Sequence, residues 1–353
     1  MALPFASNNS KKREQIVAID LGSRTTKAVC LQRKGDGFSL QRYAIQDAPI
    51  YEKGLSADLL AEHLRTVVQT LEPKTKQVTL AIGVTDSILR NTELPPISVS
   101  EMRLMLKFNT KNYLQQDLPE HVFDCYIVPP KQILKPEAGK APPKYKVWVG
   151  GAKNQLVESL QNGTRAAGLV PDQVTLGILG PVNAFEFVFP EAFRKEVVAL
   201  VDIGFKNSTI SILSEGELAL SRVVGIGGDK LTSGLSEALG ISYAEAEGIK
   251  VGMPGEVESS LQPLLSPLGR ELRASIDFFE HQQDKTVGQI FVSGGAARSD
   301  FIVQSLQSEL MAPCKSWNPT SFLNYSLPPQ QMGEVEQVAP QLTVAIGAAA
   351  TAF

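Results

Sequence analysis

Two stretches of this chain share one layout. Residues 16–29 read IVAIDLGSRTTKAV and residues 198–211 read VALVDIGFKNSTIS. At an offset of 182, Asp20 falls on Asp202, Gly22 on Gly204 and Thr26 on Ser208, and the apolar residues before each Asp also correspond. Past the next turn the offset drops to 180, where Phe38, Leu40 and Arg42 meet Leu218, Leu220 and Arg222. A strand–loop–strand–turn–strand unit that occurs twice at this spacing predicts two similar half-molecules. A length of 353 residues accommodates them, each with its own core.

The elements between the repeats follow from pattern. The Val/Ile-rich run 16–20 reads as a strand, 27–31 continues after the loop, Asp36-Gly37 marks a hairpin turn and 38–45 reads as a third strand. Ser56 caps a helix with Leu60, Leu64, Val67, Val68 and Leu71 on one face, and 77–84 is a further strand. From Leu94 the texture changes to a Pro-Pro turn, a helix from about Ser100 and a strand ending at Val128. Residues 129–146 carry five prolines and five lysines against one Glu, the composition of a flexible loop. A strand at KVWVGGA and a helix over 153–167, stopping near Gly168 and Pro171, complete the first half.

Several chemistries are disfavoured. A net charge of −3 gives no electrostatic footprint for nucleic acid. Cys30, Cys125 and Cys314 form no C-x-x-C pair, and His63, His121 and His281 are scattered, so neither a zinc site nor a Ser-His-Asp constellation has a starting point. The spacing of the cysteines fits a reducing compartment. No apolar run approaches the roughly 18 residues that span a bilayer. MALPFASNNSKKRE lacks a signal-peptide core and reads as a disordered tail over residues 1–13. A cytoplasmic protein without direct membrane insertion is expected.

The paired loops point to a phosphate ligand. Gly22 and Gly204 allow close backbone approach, and tight loops can turn successive N–H groups toward an anion. Ser23, Thr25, Thr26, Ser208 and Lys27 add donors. Asp20 and Asp202, at the strand ends, are the candidate ligands for Mg²⁺, which takes few carboxylates beside phosphate oxygens. Gly227, Gly228 and Asp229 open a helix whose N-terminus could face a phosphate. ISYAEAEGIK contains a capping box from Ser242 to Glu245 and sets Glu247 and Lys250 three apart on one helix face, equally the pattern of a surface ion pair. Gly294-Gly295 follows a further strand. Neither G-x-x-x-x-G-K-[ST] nor a strand-linked G-x-G-x-x-G is present.

Together these residues resemble the actin–Hsp70–sugar kinase superfamily. IDLGSRTTK is similar to its first phosphate motif, VDIGFKNST to the second, FVSGGAARSD to the adenosine motif, AEAEGIK to the A-E-x-x-K segment and LTVAIGAAA to the second connecting helix. Within it the chain resembles the PilM family over nearly all of 14–353, including LPPISVSEMRLMLKFNTKNYLQQDLPEHVFDCYIV, which is similar to the inserted 1C subdomain. The resemblance implies an α/β, actin-like (ribonuclease H-like) two-domain fold. Subdomain 1A would take 14–93 with 168–185 and 336–353, the 1C insertion 94–167, and a second domain (2A/2B) 186–335. It implies ATP with Mg²⁺, adding Arg24, Lys206, Asn207 and Arg298 to the nucleotide contacts. It also implies an adaptor that takes the N-terminal peptide of a PilN-like bitopic inner-membrane protein between 1A and 1C, peripheral to that membrane, with self-association left open. Two departures bear on turnover. Phe205 and Lys206 stand where relatives carry small residues, and Asn183 stands where they often show Asp; an amide cannot act as a general base. Slow or absent hydrolysis is expected if Asn183 faces the γ-phosphate. The alternatives are a small-molecule kinase on the same fold, or an FtsA-like cell-division protein; the chain stops at Phe353 without the amphipathic tail the latter usually carries.

Overall fold

The computed structural model describes residues 13–35, 37–49, 56–130 and 143–353. Residues 1–12 of the expected tail, Asp36 of the expected turn and residues 131–142 of the expected loop lie outside the described residues. Arg13 is fixed: its guanidinium pairs with Asp172 and donates to the Ala352 carbonyl at 2.9 Å.

The first half opens with the meander β1 (Gln15–Leu21), β2 (Thr25–Lys34) and β3 (Gly37–Asp47). Five consecutive residues of β1 are buried, as a strand covered on both faces requires. Helix α1 (Ala57–Leu71) starts at Ser56, whose hydroxyl accepts from Leu59 N–H, and β4 (Gln77–Ile82) returns parallel to β1. An inserted layer follows: β5 (Ser87–Leu94), α2 (Val99–Leu114), β6 (His121–Ile127) and β7 (Tyr145–Lys153). Its sheet has the order β5-β7-β6, and α2 covers one face through Met102, Leu106 and Leu114. The chain then re-enters the first half as α3 (Asn154–Ala166), whose Leu160 shares a core with Leu60 and Leu64, β8 (Val170–Leu176) and α4 (Gly180–Val188).

This layer differs from the expected 94–167 at both ends. It begins with β5, which exposes Arg90, Asn91 and Glu93 and is too polar to read as a strand, and ends before α3, which packs on α1.

After α5 (Pro190–Lys195), the second half repeats the meander as β9 (Val197–Ile203), β10 (Ser208–Ser214) and β11 (Glu217–Val224). Helices α6 (Gly228–Leu239), α7 (Tyr243–Gly252) and α8 (Glu258–Gln283) lead to β12 (Gln289–Gly294), parallel to β9, then to α9 (Asp300–Leu310) and β13 (Cys314–Ser316). The chain returns to the first half through β14 (Asn324–Tyr325), α10 (Pro329–Val338) and α11 (Thr343–Ala350). The two large sheets run β14-β3-β2-β1-β4-β8 and β11-β10-β9-β12-β13.

Strand register refines the duplication. Each hairpin carries a bulge at the matched position, between Cys30 and Leu31 and between Ile212 and Leu213. Thr26 faces Gln46 while Ser208 faces Val224, so beside the loops the third strands correspond at an offset of 178. The offset of 180 holds only at the turns, where Lys34 faces Gly37 and Ser214 faces Glu217. The first hairpin is longer in both arms.

Helices α4 and α11 cross at Gly180 and Gly347. A Cβ on Gly347 would lie 1.9 Å from the Gly180 carbonyl oxygen, a backbone atom that cannot move aside. Gly347→Ala should therefore destabilise the protein by about 3 kcal/mol or more, or prevent folding. Gly333→Ala, where nothing lies within 4 Å, should be neutral or stabilising. Urea unfolding of the two variants checks the contrast.

Candidate functional site

The two loops, 22–25 and 204–207, face each other across a cleft between the halves. Contiguous cavities of about 220 and 250 Å³ occupy it, both lined by Lys27, Asp202, Gly204 and Phe205. Asp20, Gly22, Ser23, Lys206 and Asn207 line one part. Arg24, Thr25, Gly228, Glu247, Lys250, Gly294, Gly295 and Arg298 line the other. Most of the residues picked out in the sequence thus meet in one place, although they are drawn from segments spread over nearly 300 positions.

At the floor, Asp20 stands opposite Lys27 in the β1–β2 ladder, with Lys27 Nζ 3.7 Å from the carboxylate. Burial pushes the Asp20 carboxyl above its usual range, against the opposing pull of Lys27. Asp202 is pushed up to about 6, first by burial and further by the charge of Asp20. The Ser293 hydroxyl, donating at 2.8 Å, and Lys27 act in the other direction. Thr209 pairs with Asp202 where Lys27 pairs with Asp20, so the first half alone supplies a lysine at this point.

On the far wall, Lys250 is 3% exposed and donates to Glu247 Oε2 and to the Thr232 hydroxyl, each at 2.6 Å. The Thr232 hydroxyl in turn donates to Glu247 at 2.6 Å. Burial would raise the Glu247 pKa, but the hydrogen bonds from Lys250 and Thr232, with the nearby Lys250 and Arg24 charges, hold it below its usual value. The network is therefore partly buried, with Lys250 and Thr232 inside and the Glu247 side chain half-exposed, rather than a surface ion pair.

Four of the sequence-derived residues play a supporting part. Thr26 is buried and its hydroxyl meets His63 Nε2 at 2.7 Å, tying the first loop to α1. Ser208 is buried and donates to the Ile226 carbonyl at 2.6 Å. The first N–H groups of α6 are engaged inside the protein: Gly228 N donates to Gly204 O and Asp229 N to Phe205 O, each at 2.9 Å. Asp229 also accepts from the Tyr243 hydroxyl at 2.9 Å. Gly227 lets α6 close on the second loop, since a Cβ there would lie 2.3 Å from Phe205 O. The α6 N-terminus therefore secures the loop instead of offering it free donors.

Other residues of the cleft were not among the candidates drawn from the sequence. The turn Gly83–Asp86 after β4, Gly177 and Ile178 after β8, and Gln341 and Val344 at the start of α11 all line it. The Gly83 turn, a glycine directly after an apolar run, and Val344, inside the LTVAIGAAA segment, had a readable mark. Asn183 is buried within α4 and lines neither part of the cleft. The β8–α4 connection presents Gly177 and Ile178 instead, with no carboxylate.

The raised Asp202 pKa has a stability sign. The unfolded carboxyl titrates near 3.8 and the folded one near 6, so the folded chain holds the extra proton between them. Stability should fall by about 3 kcal/mol as pH rises through that window and stay at the lower value above it. Asp202→Asn should therefore exceed wild type by about that amount at pH 7.5 and match it near pH 4, as read by urea titration of the ligand-free proteins.

Comparison with known proteins agrees with this architecture. The cell division protein FtsA of Bacillus subtilis (strain 168) is 42% identical over 102 residues, 29% of this chain and 22% of that protein. The chain thus spans less than a quarter of the length of the curated relative it matches. Among solved structures, one described as the PilM-PilN type IV pilus biogenesis complex superposes with a TM-score of 0.82 at 20% identity, covering 96% of this chain and 98% of that one. MreB 5 of Spiroplasma citri bound to AMPPNP superposes with a TM-score of 0.51 at 10% identity, covering 95% of each. The fold is actin-like α/β. The family model described as type IV pilus assembly protein PilM matches residues 18–353, and the chain belongs to that family.

Proposed function

We propose that this PilM-family chain is a cytoplasmic, ATP–Mg²⁺-binding adaptor of a type IV pilus or type II secretion-like assembly machine. In this reading it receives the N-terminal cytoplasmic peptide of a PilN-like bitopic inner-membrane protein. The observation that carries the adaptor part is a groove between the first sheet and the inserted, 1C-type layer. It has a volume of about 200 Å³ and is lined mainly by Ile82, Val122, Ala152, Val157, Pro171, Val174 and Leu176, with Gln161, Asp172 and Gln173 as its polar members. It also lies between two sheet edges: among the described residues β6 pairs only with β7, and β8 only with β4. An extended apolar peptide can add to such an edge through its main chain while its side chains fill the groove. The neighbouring structure described as a PilM-PilN complex supports a partner of this kind.

ATP is the ligand that best fits the cleft. Paired loops hold phosphates from both halves, and Asp20 and Asp202 would hold Mg²⁺. Two carboxylates are few for an all-protein cage and suit an ion completed by phosphate oxygens and water. Among the described residues no group of three or more His, Cys, Asp or Glu is placed to hold a metal. Slow hydrolysis is part of the reading as far as the β8–α4 connection goes, since Gly177 and Ile178 bring no carboxylate there; Asp86, in the turn after β4, is the carboxylate that lines this part of the cleft besides Asp20 and Asp202. Attachment to the membrane would run through the partner; among the described residues no helix is long and apolar enough to cross one.

A peptide copied from the first residues of the bitopic protein encoded beside this chain should bind in calorimetry. Val157→Glu should weaken it roughly tenfold or more by placing a charge in the apolar groove. Asp20→Ala should leave peptide affinity unchanged but, like Asp202→Ala, weaken Mg²⁺–ATP binding by roughly tenfold. Failure of wild type to bind the peptide would overturn the adaptor reading. Unchanged ATP affinity in both Asp variants would overturn the cleft assignment.

A further inference from the structure

Phe205 stands in the second loop where the repeat has Ser23 in the first, and its ring offers no donor to a phosphate. Its neighbours suggest another use. The Arg24 guanidinium, at the tip of the first loop, lies 5.2 Å from the Phe205 ring centroid and 5.6 Å from that of Tyr243, the first residue of α7. Both distances are within cation–π range, and a planar guanidinium is suited to stacking between rings. Each partner is anchored on its own half. Arg24 O accepts from Ala48 N at 2.8 Å, Phe205 O accepts from Asp229 N, and the Tyr243 hydroxyl donates to the same Asp229. Arg24 also lines the part of the cleft that holds Glu247 and Lys250.

We propose that Arg24, Phe205 and Tyr243 form a clasp across the mouth of the cleft, joining the halves directly and controlling how fast a ligand enters and leaves. Arg24 is then a positioning residue for closure as well as a neighbour of the ligand, and Phe205 is its platform. The ligand arm of the test rests on the nucleotide reading above; the ligand-free arm does not.

Four proteins decide it: Arg24→Ala, Phe205→Ala, the double variant and Phe205→Tyr. In the ligand-free proteins, amide hydrogen exchange should rise in both loops, 22–25 and 204–207, for either single Ala variant. The double variant should add little beyond one single, the non-additivity of a shared contact. Phe205→Tyr, which keeps the ring, should restore wild-type exchange. With a fluorescent ATP analogue, stopped-flow release should be roughly tenfold faster in each Ala variant and again non-additive. Faster release in Arg24→Ala with Phe205→Ala unchanged would make Arg24 a phosphate ligand only and overturn the clasp, as would additive effects of the pair. If wild type binds no nucleotide, the cleft reading fails by itself, and the exchange pattern still supports or overturns the clasp.

Discussion

Two carboxylates sit at the ends of central strands in one cleft, and the cost of burying them sets terms for the groups around them. Asp20 and Asp202 end the central strands of two sheets, and burial pushes both pKa values up. Holding such a pair needs a cation at the right place, and Lys27 provides it from the strand next to Asp20. Strand neighbours leave the placement little freedom. Asp202 follows four buried residues of β9, and β12 carries Ser293 beside it. Repetition of one hairpin supplies both acids, while Thr209 at the position that matches Lys27 leaves a single lysine in the two ladder pairs beside them.

Much of this was legible in residue order, for identifiable reasons. The strands of the two meanders announce themselves because a strand buried on both faces is a run of Val, Ile and Ala, and the duplication then aligns the acids and glycines. What could not be read depends on pairing across space. Strand β5 buries Leu89 and Leu94 but exposes Arg90, Asn91 and Glu93 without a clean alternation, so its strand character comes from pairing with β7. Helix α8 has an apolar face from Leu261 to Phe279, but Pro263 and Pro267 interrupt its helical signal. Within the site, the loops and the Glu247–Lys250 spacing were visible. The engagement of Thr26 by His63, and of the first α6 N–H groups by the second loop, was not, because hydrogen-bond partners distant in sequence leave no local trace.

The inserted layer shows how one sheet can serve two neighbours. Along β6 and β7, side chains on the face away from α2 alternate with those that pack beneath it. On that outer face Val122 and Ala152 line the apolar groove, while Tyr126 and Trp148 reach the second half. The Trp148 indole donates to Leu218 O at 2.9 Å, and the Tyr126 hydroxyl lies 3.5 Å from Glu217. The same two strands therefore touch the groove and the tip of the β10–β11 hairpin. This contact braces the two halves from the side, away from the cleft.

The longer first hairpin gives the chain a place to return to. The arm of β3 accepts β14 at Ser39 and Leu40, and Ser326 bonds Leu40 O and the Ser39 hydroxyl, each at 2.9 Å. Helix α11 then enters the first core beside Ile19 and Ala81. The second half is made from one continuous run, β9 to β13, whereas the first waits for segments more than 300 residues downstream of its opening strand. Closing so long a loop is slow relative to local contacts. During synthesis, the second half can therefore be complete while the first still lacks its edge strand and a core helix. The half that begins the chain is the last to be finished.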